Sequence, residues 1–468
     1  MSRASIPDQD TIAAIATAEG DGGIAVIRIS GPKSLDTVSR LFRRVGKGGN
    51  APRMESHKLY HGRIIDPESD ELIDDVLCVF MGSPNSYTGE DMAEIHSHGG
   101  YLVPKSILKL LFSLDIRPAN PGEFSLRAFL NGKMDLTQAE AVADIVNAQT
   151  REGLKQAELQ LDGHLSSKTS DFKETVLDVL AEVEAQVDFP EEDIDPIVKN
   201  ELTRRITGLI RNLESLLSTY DEGRIIKYGV KTAILGKPNV GKSSLLNMLI
   251  MKDRAIVSPE PGTTRDFIEE SMDIRGIPLK LVDTAGIRAT SDKIEKTGVE
   301  LARKKALEAE LLIVVLDGSA VLDNDDMEVL NEAKHKKALL ILNKSDIGTK
   351  IRYVDLSGYA DEERMIHTSA KLGTGIEELK DKIRELLTGE SQATEASEIV
   401  LTELRHKLAI EKARDSLISF LEVLDKGESP EFLALDLRVA LDSLGEITGE
   451  VTTEDILGRI FSKFCVGK

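Results

Sequence analysis

The segment GKPNVGKS at 236–243 has the spacing of a phosphate-binding P-loop. Its glycines would let backbone N–H groups close around phosphates, and Lys242 would bring positive charge to the β- and γ-phosphates. The Ser243 hydroxyl would bind magnesium. A glycine turn without a ligand is the alternative, but the motif lies between an apolar run, KTAILG, and a helical pattern, KSSLLNMLI, as a P-loop requires. The spacing therefore predicts a nucleoside triphosphate site.

Three further motifs follow the P-loop in the order found in Ras-like GTPases. In DTAG at 283–286, Asp283 would hold magnesium through water, and the Gly286 N–H would reach the γ-phosphate. In NKSD at 343–346, Asp346 offers two acceptor oxygens to the N1–H and N2 amine of guanine, which adenine lacks. The sequence SAK at 369–371 suits the loop that contacts the guanine carbonyl through its backbone. Together the motifs predict GTP as the ligand.

The loop PEPGTTRD at 259–266 lies between these motifs, and Thr264 is predicted to close over magnesium when the γ-phosphate is present. Ile287 follows DTAG where Ras-like enzymes place the glutamine that orients water, and an isoleucine cannot do this. Either hydrolysis is poor or a polar residue substitutes. Asp292 and Glu295, just downstream, are the local candidates. Spacing alone assigns no arginine finger.

The elements that must position these residues change in type along the chain. Residues 1–135 alternate short strand patterns (TIAAIAT, GIAVIRIS, LIDDVLCVF) with a helix, YLVPKSILKLLFSL, which predicts an α+β domain. Residues 136–222 and 391–468 have helical spacing, and Thr137 with Glu140 predicts a capping box. Residues 223–390 alternate continuous apolar strands with helices, which indicates a parallel sheet covered on both faces. We therefore predict a discontinuous all-α domain with a Ras-like α/β domain inserted in it.

Composition limits the function classes. The 468 residues include 59 Lys plus Arg against 80 Asp plus Glu, and this net charge of -21 argues against a protein that coats nucleic acid with a basic surface. The two cysteines cannot build a disulfide framework. The first residues lack a secretory signal, and no apolar stretch approaches a membrane span, so we expect a soluble cytosolic protein.

Several residues outside the motifs could do chemistry. Cys78 lies in an apolar strand and is predicted to be a small packing residue. Cys465 could be a functional thiol or could pack against Phe464, and both interpretations stay open. His96 and His98 share one face of a strand, but without further ligands they predict no metal site. The acidic segment DFPEEDIDP at 188–196 is predicted to be an exposed turn.

The whole chain resembles the MnmE family, also called TrmE, of tRNA wobble-uridine modification GTPases. The resemblance is carried by segments along the entire length: GIAVIRISG, PNSYTGEDMAEIHSHGG, RPANPGEFSLRAFLNGKMDL, DFPEEDID, GKPNVGKSSLLN, PGTTRD, DTAGIR, NKSD and LGRIFSKFCVGK. The last segment, with its Cys-x-Gly-Lys ending, is a hallmark of the family. The nucleotide motifs show no departure from the family pattern.

The resemblance implies what each domain binds. The N-terminal domain would bind tetrahydrofolate, usually its 5-formyl form, and would form a constitutive homodimer. The family's folate residues fall on Arg28, Glu94, Lys133 and Lys468. The GTPase domains would dimerise across potassium, held by Asn239 and by positions falling on Ser258, Glu260 and Thr263.

The resemblance also implies a reaction. The family's water-orienting glutamate falls on Glu295, and with Lys242 it is our predicted catalytic pair. With an FAD-dependent partner, MnmG, the family adds an aminomethyl or carboxymethylaminomethyl group to carbon 5 of the wobble uridine in tRNA. The residues predicted to bind GTP are Asn239, Val240, Gly241, Lys242, Ser243, Ser244, Ser258, Pro259, Glu260, Pro261, Gly262, Thr263, Thr264, Asp283, Thr284, Ala285, Gly286, Asn343, Lys344, Asp346, Ser369, Ala370 and Lys371.

Two rival hypotheses give the chain another role. A ribosome-assembly or RNA-binding GTPase would carry a basic RNA-binding module, and the sequence shows none. A folate-binding protein with a vestigial GTPase domain would not need Lys242, Asp283 and Asp346, which are all intact.

Overall fold

A computed structural model of the protein describes residues 10–18, 20–45, 54–188, 196–252, 271–282, 307–389 and 399–468. By its internal contacts the chain divides into two compact units. Unit 1 comprises Met1–Ala143, Gln160–Glu174 and Leu441–Lys468, and unit 2 comprises Asp144–Leu159 and Thr175–Ala440. The domain limits at residues 135, 222 and 390 stay predictions.

Unit 1 contains a seven-stranded sheet in the spatial order β3-β4-β5-β6-β2-β1-β7, in which only β1 and β7 pair in parallel. Alternate side chains, such as Ile27, Ile29 and Cys78, are buried in one core with residues of α1 and α2. The predicted strands and helix of this region are confirmed. The elements are β1 Ile12–Ile15, β2 Ile24–Ser30, α1 Ser34–Leu41, β3 Phe42–Arg44, β4 Leu59–Ile65, β5 Leu72–Met81, β6 Met92–His98, α2 Leu102–Ser113, β7 Arg117–Pro118 and α3 Glu123–Leu130.

A buried ion network joins α3 to the strands of unit 1. The Arg127 side chain is 1% exposed and pairs with Asp10 at 2.6 Å, Glu123 at 2.9 Å and Glu90 at 3.1 Å. Burial alone would raise the pKa of the Glu123 carboxyl, but hydrogen bonds from Arg117, the Asn120 N–H and Arg127 hold it below its usual range. The Asp10 pKa is lowered in the same way.

Acidification should therefore destabilise unit 1. A carboxylate with a lowered folded-state pKa contributes stability above its unfolded pKa of about 4, and this is lost as the pH falls through the folded value. Glu123→Gln should reduce the free energy of unfolding by about 1–3 kcal/mol at neutral pH and flatten its decline in acid. Urea unfolding across the acid range checks this. The exposed Glu71→Gln is the control, and equal acid slopes for both variants would contradict the prediction.

Most of the remaining elements are helices, several of them long. The helices of this region are α4 Leu136–Asn147, α5 Arg151–Leu161, α6 His164–Asp188, α7 Pro196–Ser218, α8 Tyr220–Tyr228, and those at Leu404–Lys426, Pro430–Thr448 and Glu454–Phe461. The helix Leu404–Lys426 packs along α7. Helices from before and after the inserted α/β domain therefore pack together, which confirms the discontinuous helical domain. Residues 189–195, most of the predicted acidic turn, lie outside the described residues.

The capping box predicted for α4 was misplaced by two residues. The helix begins at Leu136, so that Asp135 and not Thr137 is its N-cap. The Gln138 N–H donates to Asp135 Oδ1 at 3.0 Å, and the Asp135 N–H donates back to Gln138 Oε1 at 3.0 Å. Thr137 instead donates its hydroxyl to Asp135. A carboxylate one residue before the helix is the better acceptor for the free N–H groups of the first turn.

Unit 2 contains a six-stranded sheet in the order β13-β12-β11-β8-β10-β9, parallel except for the β9–β10 hairpin. Along β11, alternate residues enter two separate cores, one shared with α9 and the other with the helix Asn324–Ala333. Both faces are therefore covered, as predicted. The antiparallel β9 was not predicted. The strands are β8 Val230–Leu235, β9 Ser271–Ile274, β10 Ile277–Leu281, β11 Leu311–Asp317, β12 Lys337–Asn343 and β13 Met365–His367, and the helices include α9 Lys242–Lys252 and Ile376–Thr388.

Within the described ranges, no helix combines the length and apolar character needed to cross a membrane.

Candidate functional site

The P-loop connects the end of β8 to the start of α9 and has a shape that requires its glycines. Gly236 has φ +146°, and a Cβ there would lie 2.3 Å from the Val315 carbonyl oxygen. Gly241 has φ +101°, and a Cβ there would lie 2.2 Å from Asn343 Nδ2. Asn239 also adopts a left-handed conformation, with φ +64°. The loop therefore wraps closely at the N-terminus of a helix, the arrangement that binds phosphates.

Two lysines of the P-loop, Lys237 and Lys242, make the hydrogen bonds that hold its shape. Lys242 Nζ donates to the carbonyl oxygens of Gly236 at 2.7 Å and Lys237 at 2.8 Å, which places the ammonium group across the loop. Lys237 Nζ in turn donates to Asp323 at 2.6 Å and Asp326 at 2.8 Å, at the N-terminus of the helix Asn324–Ala333. The loop is therefore held in shape by the chain itself.

Asn343, at the end of β12, joins the P-loop to the loops predicted to bind the base. Its Nδ2 donates to the Val240 carbonyl at 2.8 Å. Its Oδ1 accepts from the Ala370 N–H at 3.0 Å and from the Thr368 hydroxyl at 3.3 Å. The side chain is 2% exposed, so these bonds are made away from water. The buried Asn343 amide therefore connects the P-loop to the loop that is predicted to contact the base.

The residues predicted to recognise the base lie beside Asn343 in the sequence. Asp346 is exposed, and its Oδ1 accepts from the Ser369 hydroxyl at 2.7 Å. Lys344 has φ +65°, and its Nζ donates to Asp317 at 2.7 Å. Burial of the Asp317 carboxyl would raise its pKa, but the hydrogen bonds from Lys344 and Ser319 hold it below its usual range. The Asp346 carboxylate is thus fixed at the surface where a guanine edge could reach it.

The described residues hold only part of the predicted nucleotide site. They bring together residues of the P-loop, the NKSD motif and the SAK loop. The predicted residues Ser258, Pro259, Glu260, Pro261, Gly262, Thr263, Thr264, Asp283, Thr284, Ala285, Gly286 and Glu295 lie outside the described residues, as do Ile287 and Asp292.

Asn343→Ala should destabilise the sheet of unit 2. The change removes three hydrogen bonds and leaves the buried Val240 carbonyl and Ala370 N–H without this partner, at about 1–3 kcal/mol for each unsatisfied group. Hydrogen exchange of peptides from β8 and β12, without nucleotide, measures this sheet separately. Asn331→Ala, at an exposed position, should change nothing. Equal protection in both variants would show that Asn343 does not join the loops.

A second candidate site surrounds Arg28 in unit 1. Arg28 on β2 lies opposite Glu94 on β6, and its Nε donates to Glu94 Oε1 at 3.0 Å. The guanidinium lies over the Tyr87 ring, 5.4 Å from its centre, and over the Phe124 ring at 5.9 Å. Its Nη1 donates to the Gly467 carbonyl at 3.4 Å. Arg28 is thus a fixed, half-buried cation, not an ordinary exposed strand residue.

The segment after the helix Glu454–Phe461 packs against the start of the chain within unit 1. Gly467 has φ +99°, and a Cβ there would lie 2.4 Å from the Ile15 carbonyl oxygen. Lys468 follows, and burial together with the charge of Arg28 lowers the pKa of its amine. Phe464 is buried against Phe461, whereas Cys465 is exposed. The structure therefore does not bury the Cys465 thiol.

Lys133 approaches the Arg28 region through the loop that carries Tyr87. Its Nζ donates to the Pro84 carbonyl at 3.1 Å, and its stem lies against Gly89. Of the four predicted folate residues, Arg28 contacts Glu94 and the segment that carries Lys468, and Lys133 contacts the loop that carries Tyr87. Sequence reasoning missed Tyr87 and Phe124, although both lie in segments that carry the family resemblance.

His96 and His98 each meet a carboxylate. His96 Nε2 lies 3.2 Å from Glu94 Oε2, and His98 Nδ1 lies 2.8 Å from Asp74 Oδ1. Over the described part of the chain, no cluster of three or more His, Cys, Asp or Glu side chains could hold a metal ion.

Models of known protein families match the parts of the chain that contain both candidate sites. A family model described as the MnmE helical domain matches residues 136–465, and one described as the N-terminus of the GTP-binding protein TrmE matches residues 11–133. The chain belongs to the MnmE family. The TrmE N-terminal match includes Arg28, Glu94 and Lys133, and the MnmE helical-domain match extends across the P-loop and Asn343.

Individual MnmE relatives are similar over nearly the whole chain. The tRNA modification GTPase MnmE of Natranaerobius thermophilus is 44% identical over 460 residues, which cover 98% of this chain and 100% of the relative. The protein of the same name from Clostridioides difficile is 45% identical, over 98% of this chain and 99% of its own. The solved G domain of the T. maritima FeoB iron transporter is 29% identical over 34% of this chain and 98% of its own, with a TM-score of 0.25.

Proposed function

We propose that this protein hydrolyses GTP and, with an FAD-dependent partner resembling MnmG, adds an aminomethyl or carboxymethylaminomethyl group to carbon 5 of the wobble uridine of certain tRNAs. The observation that carries the proposal is the similarity to tRNA modification GTPases over 98% of the chain. The described part of the nucleotide site, in which Asn343 joins the P-loop to the SAK loop, supports the GTPase part of the proposal.

Magnesium and potassium are the ions that we propose for the nucleotide site. Ser243 lies in the first turn of α9, and a hydroxyl oxygen is a ligand that magnesium accepts. Thr264 would be its second protein ligand. Potassium would take oxygen atoms from Asn239 and from Ser258, Glu260 and Thr263 at the family's positions. Its charge would stand in for part of an arginine finger.

A tetrahydrofolate such as the 5-formyl form fits the side chains around Arg28. The Glu94 carboxylate can accept N–H groups of a pterin ring, and Arg28, Lys133 and Lys468 can donate to its carbonyl or carboxylate oxygens. The Tyr87 ring beside Arg28 offers an aromatic face. When bound, the folate supplies the one-carbon unit, and the protein's residues orient it.

The proposed assembly is a homodimer, formed through the N-terminal domain, that joins the FAD protein and tRNA in the cytoplasm. A net charge of -21 supports a division of labour in which the partner makes most of the contact with the tRNA polyanion.

Hydrolysis should be faster in potassium than in sodium. An arginine finger is worth ~10³–10⁵ in rate, and an ion bound at Asn239 would supply part of this. Glu295→Ala should lose turnover and keep nucleotide affinity, because Glu295 would orient water where Ile287 cannot. Phosphate release in the two salts, with and without Asn239→Ala, measures this. Equal rates in both salts would remove potassium from the proposal but leave the GTPase.

Mass analysis of bulk tRNA tests the complete function. A deletion strain should lose a wobble-uridine adduct, the parent gene should restore it, and a Lys242→Ala gene should not. An unchanged adduct in the deletion strain would contradict the proposal.

A further inference from the structure

The turn of the β9–β10 hairpin is held by a residue outside the nucleotide-binding domain. The Thr150 hydroxyl, just before α5, donates to the Gly276 carbonyl at 2.9 Å. Gly276 has φ +87°, and a Cβ there would lie 2.9 Å from the Glu152 Cβ. Only a glycine therefore allows the turn to approach the start of α5 this closely.

The helix Ile376–Thr388 of the inserted domain also contacts this turn. Arg384 donates to the Arg275 carbonyl at 2.5 Å, and Arg275 pairs with Asp381 at 2.7 Å. On the next strand, the Pro278 carbonyl lies so close to Gly229 that a Cβ at Gly229 would be 2.3 Å away. The hairpin therefore contacts α5 and the helix Ile376–Thr388 through its turn, and the α8–β8 junction through β10.

The Thr150 hydroxyl makes two hydrogen bonds, and substitutions can remove one without the other. Its oxygen accepts from the Gly153 N–H at 3.1 Å, so it caps α5, while its hydroxyl hydrogen goes to Gly276. The residue is 6% exposed, so water does not substitute readily for either bond. Capping needs only an acceptor, whereas the bond to Gly276 needs a donor.

The β9–β10 hairpin lies between two of the predicted nucleotide-binding loops in the sequence. It lies between the Thr264 loop and the DTAG motif, which begins two residues after β10 ends at Leu281. β10 also pairs with β8, the strand that leads into the P-loop. If β9 or β10 moves when the nucleotide state changes, the turn between them, which Thr150 contacts, would therefore move as well.

We propose that Thr150 is a positioning residue through which the nucleotide state reaches the helical domain at α5. The hydrogen bond to Gly276 makes the hairpin and the start of α5 move as one element, which is the physical link that coupling between two sites requires. This inference rests on the proposed function only in supposing that GTP hydrolysis serves a second reaction.

Three substitutions in the full chain test the inference. Thr150→Ser keeps both bonds, Thr150→Asp keeps the cap but cannot donate to the Gly276 carbonyl, and Thr150→Val loses both. Hydrogen exchange of residues 144–159 is compared between complexes with GDP and with a non-hydrolysable GTP analogue. The parent and Thr150→Ser should show a nucleotide-dependent difference, and Thr150→Asp and Thr150→Val should lose it while binding nucleotide normally.

Activity provides a second readout. Thr150→Asp should keep its kcat and KM for GTP, while the tRNA modified per GTP hydrolysed falls by about tenfold, an ordinary size for coupling between sites. A persistent exchange difference in Thr150→Asp, or none in the parent, would overturn the inference. A parent that shows the exchange difference and hydrolyses GTP but modifies no tRNA would overturn the proposed function and leave the link through Thr150 standing.

Discussion

Asp346→Asn is expected to lower the affinity for GTP by about 10²–10⁴-fold, because two hydrogen bonds to a charged acceptor are lost at ~1.5–3 kcal/mol each. The asparagine would also turn an N–H donor toward the guanine amine. Xanthine carries a carbonyl in place of that amine, so the variant should prefer xanthosine triphosphate. Equilibrium binding of both nucleotides by titration calorimetry measures the change.

The structure makes this test specific. Asp346 accepts from the Ser369 hydroxyl, and an asparagine can keep that bond through its own oxygen, so the loop should stay in place. Asp325→Asn, at an exposed position in the same domain, is the matched control and should bind GTP as the parent does. A variant with unchanged GTP affinity would show that the guanine lies elsewhere.

Gly467→Ala is expected to lower tRNA modification by about 10²-fold, the size of effect that a shift of about 1 Å in a residue that positions the substrate can have. A Cβ at this position would lie 2.4 Å from the Ile15 carbonyl, and alanine is strained at φ +99°, so the segment carrying Lys468 must shift. Removing residues 465–468 should abolish modification. GTP hydrolysis should be nearly intact in both variants, because the P-loop lies in the other unit.

The neighbouring residues supply the controls. Val466→Ala changes an exposed side chain of the same segment and should behave as the parent. Cys465→Ser tests the exposed thiol separately: full modification would leave it without a chemical role, and lost modification with normal folate binding would place it in the reaction. Normal modification by Gly467→Ala would mean that the docked position of the segment is not needed.

Local patterns predicted the elements of both sheets better than the contacts between them. The continuous apolar run of β11 predicted a strand covered on both faces, because each alternate residue must enter a core. By contrast, β9 has only four residues, too few for a periodicity to show. The α4 cap was misplaced because Thr137 and Asp135 are both good cap residues, and only the backbone decides which one precedes the helix.

In the candidate sites too, local motifs could be predicted from the sequence, whereas contacts between distant residues could not. The P-loop spacing predicted Lys242 and Ser243 because phosphate binding is a local property of one loop. The role of Asn343 as a bridge could not be predicted, since its partner Val240 lies 103 residues away in the sequence. Tyr87 and Phe124 were missed for the same reason: their aromatic rings acquire a role only where the sheet brings Arg28 between them.

The bond between Arg28 and Gly467 has a consequence for how the protein is made. The two residues are 439 positions apart, yet they belong to one candidate site. At a synthesis rate of ~5–20 residues per second, roughly 20–90 s pass between the emergence of β2 and that of its partner. The N-terminal sheet can pair its strands during this interval, but Arg28 has not yet met Gly467. A ribosome that stops early therefore releases a chain that can carry the P-loop sheet and a well-formed first sheet, and still lacks the Gly467 partner of Arg28 in the second candidate site.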